Sequence, residues 1–128
     1  MTKLRHDTVL TSQVIQAGIA VHSALGPWLL ESAYQICLMH ELRNRGIGAE
    51  TEVPLKVTYK GITLEVAYRL DIVVEHSLII ELKTVKQLHP IHEAQLLSYL
   101  KLSGIPVGLL INFHVPLLRD GIKRIVNG

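Results

Sequence analysis

Residues 71–83, Asp-Ile-Val-Val-Glu-His-Ser-Leu-Ile-Ile-Glu-Leu-Lys, set two β-rich runs back to back with a short polar break between them. Side chains alternate between faces along a strand, so Glu81 and Lys83 fall on one side and Ile80 and Leu82 on the other. One face reads as apolar and the other as chemical. A hairpin across His76-Ser77 brings Asp71 beside Glu81 on a shared surface, with the ammonium of Lys83 next to both. Two acids and a lysine gathered this way suit a divalent cation and a water.

The flanking sequence decides what such a hairpin can be built into. Before it, Val14, Gly18, Val21 and Leu25 recur at helical spacing, with Asp7, Thr8 or Thr11 as caps and Gly26-Pro27 as the stop. A second helix is predicted from Leu29 or Leu30 to Arg45, its apolar face made by Ala33, Ile36, Cys37, Met39 and Leu42. From Glu50 the period becomes two. Leu55, Val57 and Tyr59 alternate with Lys56, Thr58 and Lys60, and Lys60-Gly61 makes a tight turn. Ile62, Leu64, Val66 and Tyr68 then alternate with Thr63, Glu65, Ala67 and Arg69.

The second strand continues through Asp71 to Glu75, and Leu78 to Val85 makes a third. Helical period returns over Pro90 to Leu102, where proline suits the first helical position and Ser103-Gly104-Ile105-Pro106 ends the pattern. Val107 to Phe113 reads as a buried strand parallel to an earlier one, because a crossover helix is what parallel pairing requires. Ile122 to Val126 is a last short strand. The order is α-α-β-β-β-α-β-β, an α/β chain with a mixed sheet, and no internal repeat or linker breaks it.

A chain of 128 residues with 48% hydrophobic content and mean hydropathy +0.31 is most economically one domain, 1–128, with one packed core. A net charge of +2 and pI near 8.8 permit contact with nucleic acid without arguing for it. Cys37 is the only cysteine, which excludes an intrachain disulfide and a cysteine zinc cluster. The first residues lack the apolar core of a signal peptide and no run suits a membrane helix, so the default expectation is a cytoplasmic protein with no membrane partner. Nucleophile-elbow, P-loop and dinucleotide-fingerprint patterns are absent.

Several residues carry two readings. Glu31 opens a helix, where the macrodipole favours an acid, and Glu81 and Lys83 can be an ordinary ion pair. Yet both sit in the apolar run Ile79 to Val85, where burying charge costs several kcal/mol unless it is paired or metal-bound. Gln95 and Tyr99, four apart, share a helical stripe with His92 and could face the same cleft. His89 and His92 have transition-metal spacing but no evident third ligand. Trp28 and Tyr34 are more commonly core residues than base-stacking ones.

Asp71, Glu81-x-Lys83 on the next strand, and a helix with Gln95-x-x-x-Tyr99 resemble the PD-(D/E)XK nuclease superfamily, whose RecB-like branch shares the Q-x-x-x-Y element. Leu25-Gly-Pro-Trp-Leu-Leu-Glu31-Ser-Ala-Tyr34, Tyr68-Arg-Leu-Asp71, Ile80-Glu-Leu-Lys83 and His92-Glu-Ala-Gln95-Leu-Leu-Ser-Tyr99 together resemble its bacterial GxxExxY family over most of the chain. The glycine of that motif would fall at position 28, where this chain has Trp28. If that glycine gives backbone room, Trp28 narrows the entrance to the site or lines it with an aromatic surface. Leu70 stands in place of the superfamily's proline.

The resemblance implies a restriction-endonuclease-like core, a central mixed sheet flanked by helices, and a Mg²⁺- or Mn²⁺-dependent deoxyribonuclease that hydrolyses phosphodiesters with a metal-activated water. In that reading Asp71, Glu81, the Leu82 carbonyl and Glu31 are the metal ligands, Lys83 holds the water and offsets charge, Gln95 orients Lys83 or the phosphate, and Tyr99 supports Gln95 or touches nucleic acid. DNA is the expected substrate, and a homodimer is compatible with so small an enzyme. The alternative is a catalytically inactive relative that binds nucleic acid or a protein partner. A purely structural assembly protein would be favoured by a large apolar dimer contact near Trp28.

Overall fold

The computed structural model describes residues 3–128, with the side chains of residues 3–7 and 65–67 outside the description. The elements are α1 (Lys3–Leu25), α2 (Glu31–Asn44), β1 (Ala49–Tyr59), β2 (Ile62–Val74), β3 (Leu78–Lys83), α3 (Pro90–Ser103), β4 (Val107–Asn112), a 3₁₀ turn (Leu118–Gly121) and β5 (Ile122–Val126). They occur in the expected order. Among the described residues the sheet has five strands in the order β1-β2-β3-β4-β5, antiparallel except for the parallel β3–β4 pair that α3 connects. This is an α/β mixed sheet flanked by helices, consistent with a restriction-endonuclease-like fold.

Both faces of the sheet are covered. Val14, Ala17 and Val21 of α1 and Tyr34, Leu38 and Leu42 of α2 pack on Ile72, Val74, Ile80, Leu82, Leu109 and Ile111. On the other side Leu96, Tyr99 and Leu100 of α3 meet Leu55, Leu70, Val73, Ile79 and Leu110. Gly108 lets α3 approach, since a Cβ there would stand 3.0 Å from Leu96. The face that carries Glu81 is therefore apolar at Ile79, and only its far end is chemical, which corrects the expectation of one apolar and one polar face.

Other differences have local causes. α1 starts at Lys3, so the backbone of Asp7, Thr8 and Thr11 is already helical and none of the three is a cap; the Asp7 side chain lies outside the described residues. The α2 core face is Tyr34, Leu38 and Leu42, while Ile36 is 70% exposed. The β2–β3 turn is centred on Glu75-His76, both at positive φ (50° and 55°), with the Ser77 N–H donating to the Val74 carbonyl at 2.9 Å. Within the alternating run of β2, the side chains of Glu65, Val66 and Ala67 lie outside the described residues. Pro54 is accommodated because β1 is an edge strand.

β3 stops at Lys83 and β4 at Asn112, each short of the predicted end. Asn112, 2% exposed, explains the stop. Its Oδ1 accepts the Val85 N–H at 3.1 Å and its Nδ2 donates to the Val85 carbonyl at 2.9 Å, so a side chain takes over the ladder where the main chains part.

Candidate active site

The β2–β3 ladder runs from Val74–Leu78 to Ile72–Ile80. One step further, Asp71 and Glu81 face each other and side chains replace main-chain pairing. The Asp71 N–H donates to Glu81 Oε2 at 3.0 Å, and the Leu82 N–H donates to Asp71 Oδ2 at 2.8 Å. Each carboxylate is held by the other strand's backbone through one oxygen. Among the described residues the second oxygen of each accepts no protein hydrogen bond.

Burial is the main influence on both acids. It raises the Asp71 pKa, opposed by the Leu82 N–H and reinforced by Glu52. Glu81, 6% exposed, is pushed up to about 8, first by burial and then by the charge of Asp71; the Asp71 N–H and Lys83 pull the other way. Glu31, the first residue of α2, is raised by partial burial and by Asp71, against Lys83. Lys83 thus lies within electrostatic reach of Glu31, Asp71 and Glu81. It forms no direct ion pair with them among the described residues. Buried Glu81, half-buried Asp71 and exposed Glu31 around one lysine leave a net negative notch at the end of the sheet.

Glu52 is a fourth acid that sequence reasoning missed. Thr51 pairs with Ile72 and Val53 with Leu70, which sets Glu52 opposite Asp71. Acids thus stand in one row across β1, β2 and β3. Glu52 has φ of +51°, a left-handed conformation that costs a residue with a Cβ about 1–2 kcal/mol. Gln35 of α2 holds it, donating through Nε2 to Glu52 Oε2 at 3.0 Å and to the Asp71 carbonyl at 3.1 Å. The only available signal was the register, and it misleads. Tyr59–Ile62 and Val57–Leu64 pairing, continued regularly, would set Glu50 opposite Asp71. An irregularity between Leu55 and Val57 shifts the pairing and substitutes Glu52.

Among the remaining predicted residues, Tyr99 is brought to the site. Its pKa is raised by burial and then by Glu81, and its ring lies 6.3 Å from that of Tyr68. Gln95, one turn earlier on α3, is exposed. His92 is close enough to Lys83 to have its pKa lowered by it, after burial. His92 Nδ1 accepts the His89 N–H at 3.0 Å, a cap for α3 rather than a zinc ligand. Of the basic residues, Arg45 pairs with Glu41 and Lys123 with Glu93, so those charges are used locally.

Among the described residues no three His, Cys, Asp or Glu side chains form a ready cage for a metal. The donor set still fits Mg²⁺, which takes one or two carboxylates and keeps several waters. Asp71 and Glu81 each offer an oxygen, and burial, the main cause of their raised pKa values, makes their ionised forms costly unless a cation offsets the charge.

The sequence model of the PD-(D/E)XK nuclease superfamily matches residues 8–125. No curated protein matches the chain. Among solved structures, the crystal structure of SSO0001 is similar, with a TM-score of 0.56 and 22% identity over 97% of this chain. The chain spans 61% of the length of that protein, and the likeness is one of fold. No helix among the described residues is long and apolar enough to cross a membrane. With the family match running from within α1 to Ile125 of β5, this chain belongs to the PD-(D/E)XK nuclease superfamily.

Proposed function

We propose that residues 1–128 act as one nuclease domain of the GxxExxY kind, a Mg²⁺- or Mn²⁺-dependent phosphodiester hydrolase acting on DNA. The observation that carries this reading is the reciprocal backbone anchoring of Asp71 and Glu81, with Lys83 two residues along the same strand. In it Asp71 and Glu81, joined by the Leu82 carbonyl and by Glu31, hold the divalent cation. When bound, that cation supplies Lewis acidity toward a phosphoryl oxygen and lowers the pKa of a water.

The chain's own residues do the rest. Lys83 positions the attacking water and offsets the charge that develops on the phosphorane. Its ammonium forms no ion pair among the described residues, which leaves it to meet an incoming oxyanion. Gln35 and the Leu82 N–H fix β2 and the Asp71 carboxylate against movement as charge builds. Gln95, exposed on the stripe that ends at Tyr99, meets the substrate phosphate or Lys83, and Tyr99 backs the acids.

The test is cleavage of single- and double-stranded DNA and of RNA with and without a chelator, for the wild type and Lys83→Ala. Chelator-sensitive cleavage reduced about a hundredfold or more in Lys83→Ala supports the reading. Binding without any cleavage would support the non-catalytic alternative.

A further inference from the structure

Trp28 is the chain's single tryptophan, and it is 75% exposed. An indole left in water forgoes the largest burial gain any side chain offers, so its rigid presentation needs a cause. Gly26, at φ +77°, ends α1 and turns the chain, and its N–H donates to the His22 carbonyl at 2.8 Å. The Tyr34 hydroxyl then closes the turn, donating to the Gly26 carbonyl and accepting the Leu29 N–H at 3.2 Å. Tyr34 is fully buried and stacks on Phe113, with centroids 4.3 Å apart and planes at 12°.

The residue after Phe113 meets Trp28. His114 packs against the indole in a T-shaped contact with centroids 4.4 Å apart. The Phe113 N–H donates to the Lys83 carbonyl at 2.9 Å, and the His114 N–H to Asn112 Oδ1 at 3.2 Å. The Trp28 plate is therefore fastened on one side to the helix that begins with Glu31 and on the other to the strand that ends with Lys83. Three residues of chain keep its Cα within about 11 Å of that of Glu31. A cleft of about 450 Å³ opens beside the same turn, lined by Gly26, Pro27, Leu117 and Arg119 among others. Arg119 forms no ion pair among the described residues.

We propose that Trp28 is a stacking plate for an unpaired base of single-stranded nucleic acid, seated beside the phosphodiester to be cut, with Arg119 receiving a neighbouring phosphate. This rests on the nuclease reading and adds the substrate form to it. A base inside a duplex has both faces covered by its neighbours and cannot stack on a protein ring. An unpaired base can, and every base offers a π-face, so the plate selects strand state and not sequence. The adjoining exposed Leu29 and Leu30 extend the apolar surface available to that base.

Because Trp28 is the only tryptophan, fluorescence excited selectively at the indole rather than at the four tyrosines reports on it alone. The Lys83→Ala variant, which keeps every carboxylate, is titrated with oligothymidylate and with a blunt-ended two-strand duplex of equal length in Mg²⁺. Saturable quenching by the single strand and none by the duplex is expected. In the otherwise wild-type protein, Trp28→Ala is expected to raise KM for single strands roughly 5- to 100-fold, with Trp28→Phe recovering most of it and circular dichroism unchanged. Arg119→Ala is expected to reduce the salt dependence of binding. Single-strand cleavage with no fluorescence change and an unaltered Trp28→Ala variant would overturn the stacking plate and leave the nuclease reading standing. Absence of nucleic-acid binding by the wild type would overturn the nuclease reading and this proposal with it. If Trp28→Ala instead dissociated a dimer in sedimentation without changing nucleic-acid affinity, Trp28 would be a contact between copies of the chain.

Discussion

Asp71 and Glu81 are bound to each other's strands rather than to each other: the Asp71 N–H donates to Glu81, and Asp71 in turn accepts the N–H of Leu82. Two acids so placed cannot both ionise cheaply without a cation, and burial first and the Asp71 charge second push Glu81 up to about 8 from 4.5. Between these values the metal-free folded chain binds more protons than the unfolded chain. This contribution to stability is fully present below the unfolded pKa and is lost as pH rises through the folded one. Urea denaturation between about pH 5 and about pH 8 should therefore show metal-free stability falling with pH, and Glu81→Gln should remove most of that slope. Mg²⁺ should oppose the loss at the alkaline end. An equal slope in Glu81→Gln would assign the pH dependence elsewhere.

Glu52 raises the pKa of both Asp71 and Glu31. Glu52→Gln should therefore let those acids ionise at lower pH. Mn²⁺ binding followed by calorimetry should begin at more acidic pH in the variant, while affinity well above neutral pH falls several-fold with the lost negative charge. An unshifted pH midpoint would show that Glu52 does not share the field of the site.

Asn112 joins the end of β3 to its neighbour. Its carboxamide bonds both polar groups of Val85 and receives the His114 N–H, all within a buried setting. Asn112→Ala leaves those groups unpaired and should cost about 2–3 kcal/mol, read as a lower urea midpoint. Cleavage should fall further than the loss of folded protein explains, because the chain just beyond Lys83 is released. Stability within about 0.5 kcal/mol of wild type would contradict this assignment.

Tyr34→Phe isolates the hydroxyl that closes the Gly26–Leu29 turn. The ring stack on Phe113 is retained, so the loss should be about 1–2 kcal/mol, with the environment of Trp28 loosened in fluorescence anisotropy. A variant with unchanged stability and anisotropy would show that the turn is set by Gly26 alone.

Much of this arrangement was legible in the sequence, and the exceptions share a cause. The Asp71–Glu81 juxtaposition could be read because a tight turn and period-two patterning fix a short hairpin. Lys83 followed from the same alternation. Glu52 could not be read, since the irregularity near Leu55 moves the long β1–β2 hairpin out of simple register. Asn112 was hidden because nothing local marks a polar side chain that imitates a strand. For Trp28, general aromatic burial pointed to the core, whereas the Tyr34 and His114 contacts present it at the surface. α1 began earlier than expected because Asp7, Thr8 and Thr11 look like caps in sequence although their backbone is already helical.

The proposed role of the Asp71–Glu81 notch is to hold a divalent cation that serves hydrolysis beside Lys83. It is tested most directly by calorimetry of Mg²⁺ and Mn²⁺ binding to the wild type, Asp71→Asn and Lys83→Ala, run beside DNA cleavage by the same preparations. Binding lost in Asp71→Asn but kept in Lys83→Ala, with cleavage lost in both, is the predicted result. Wild-type protein that binds neither ion and cuts no DNA would contradict it.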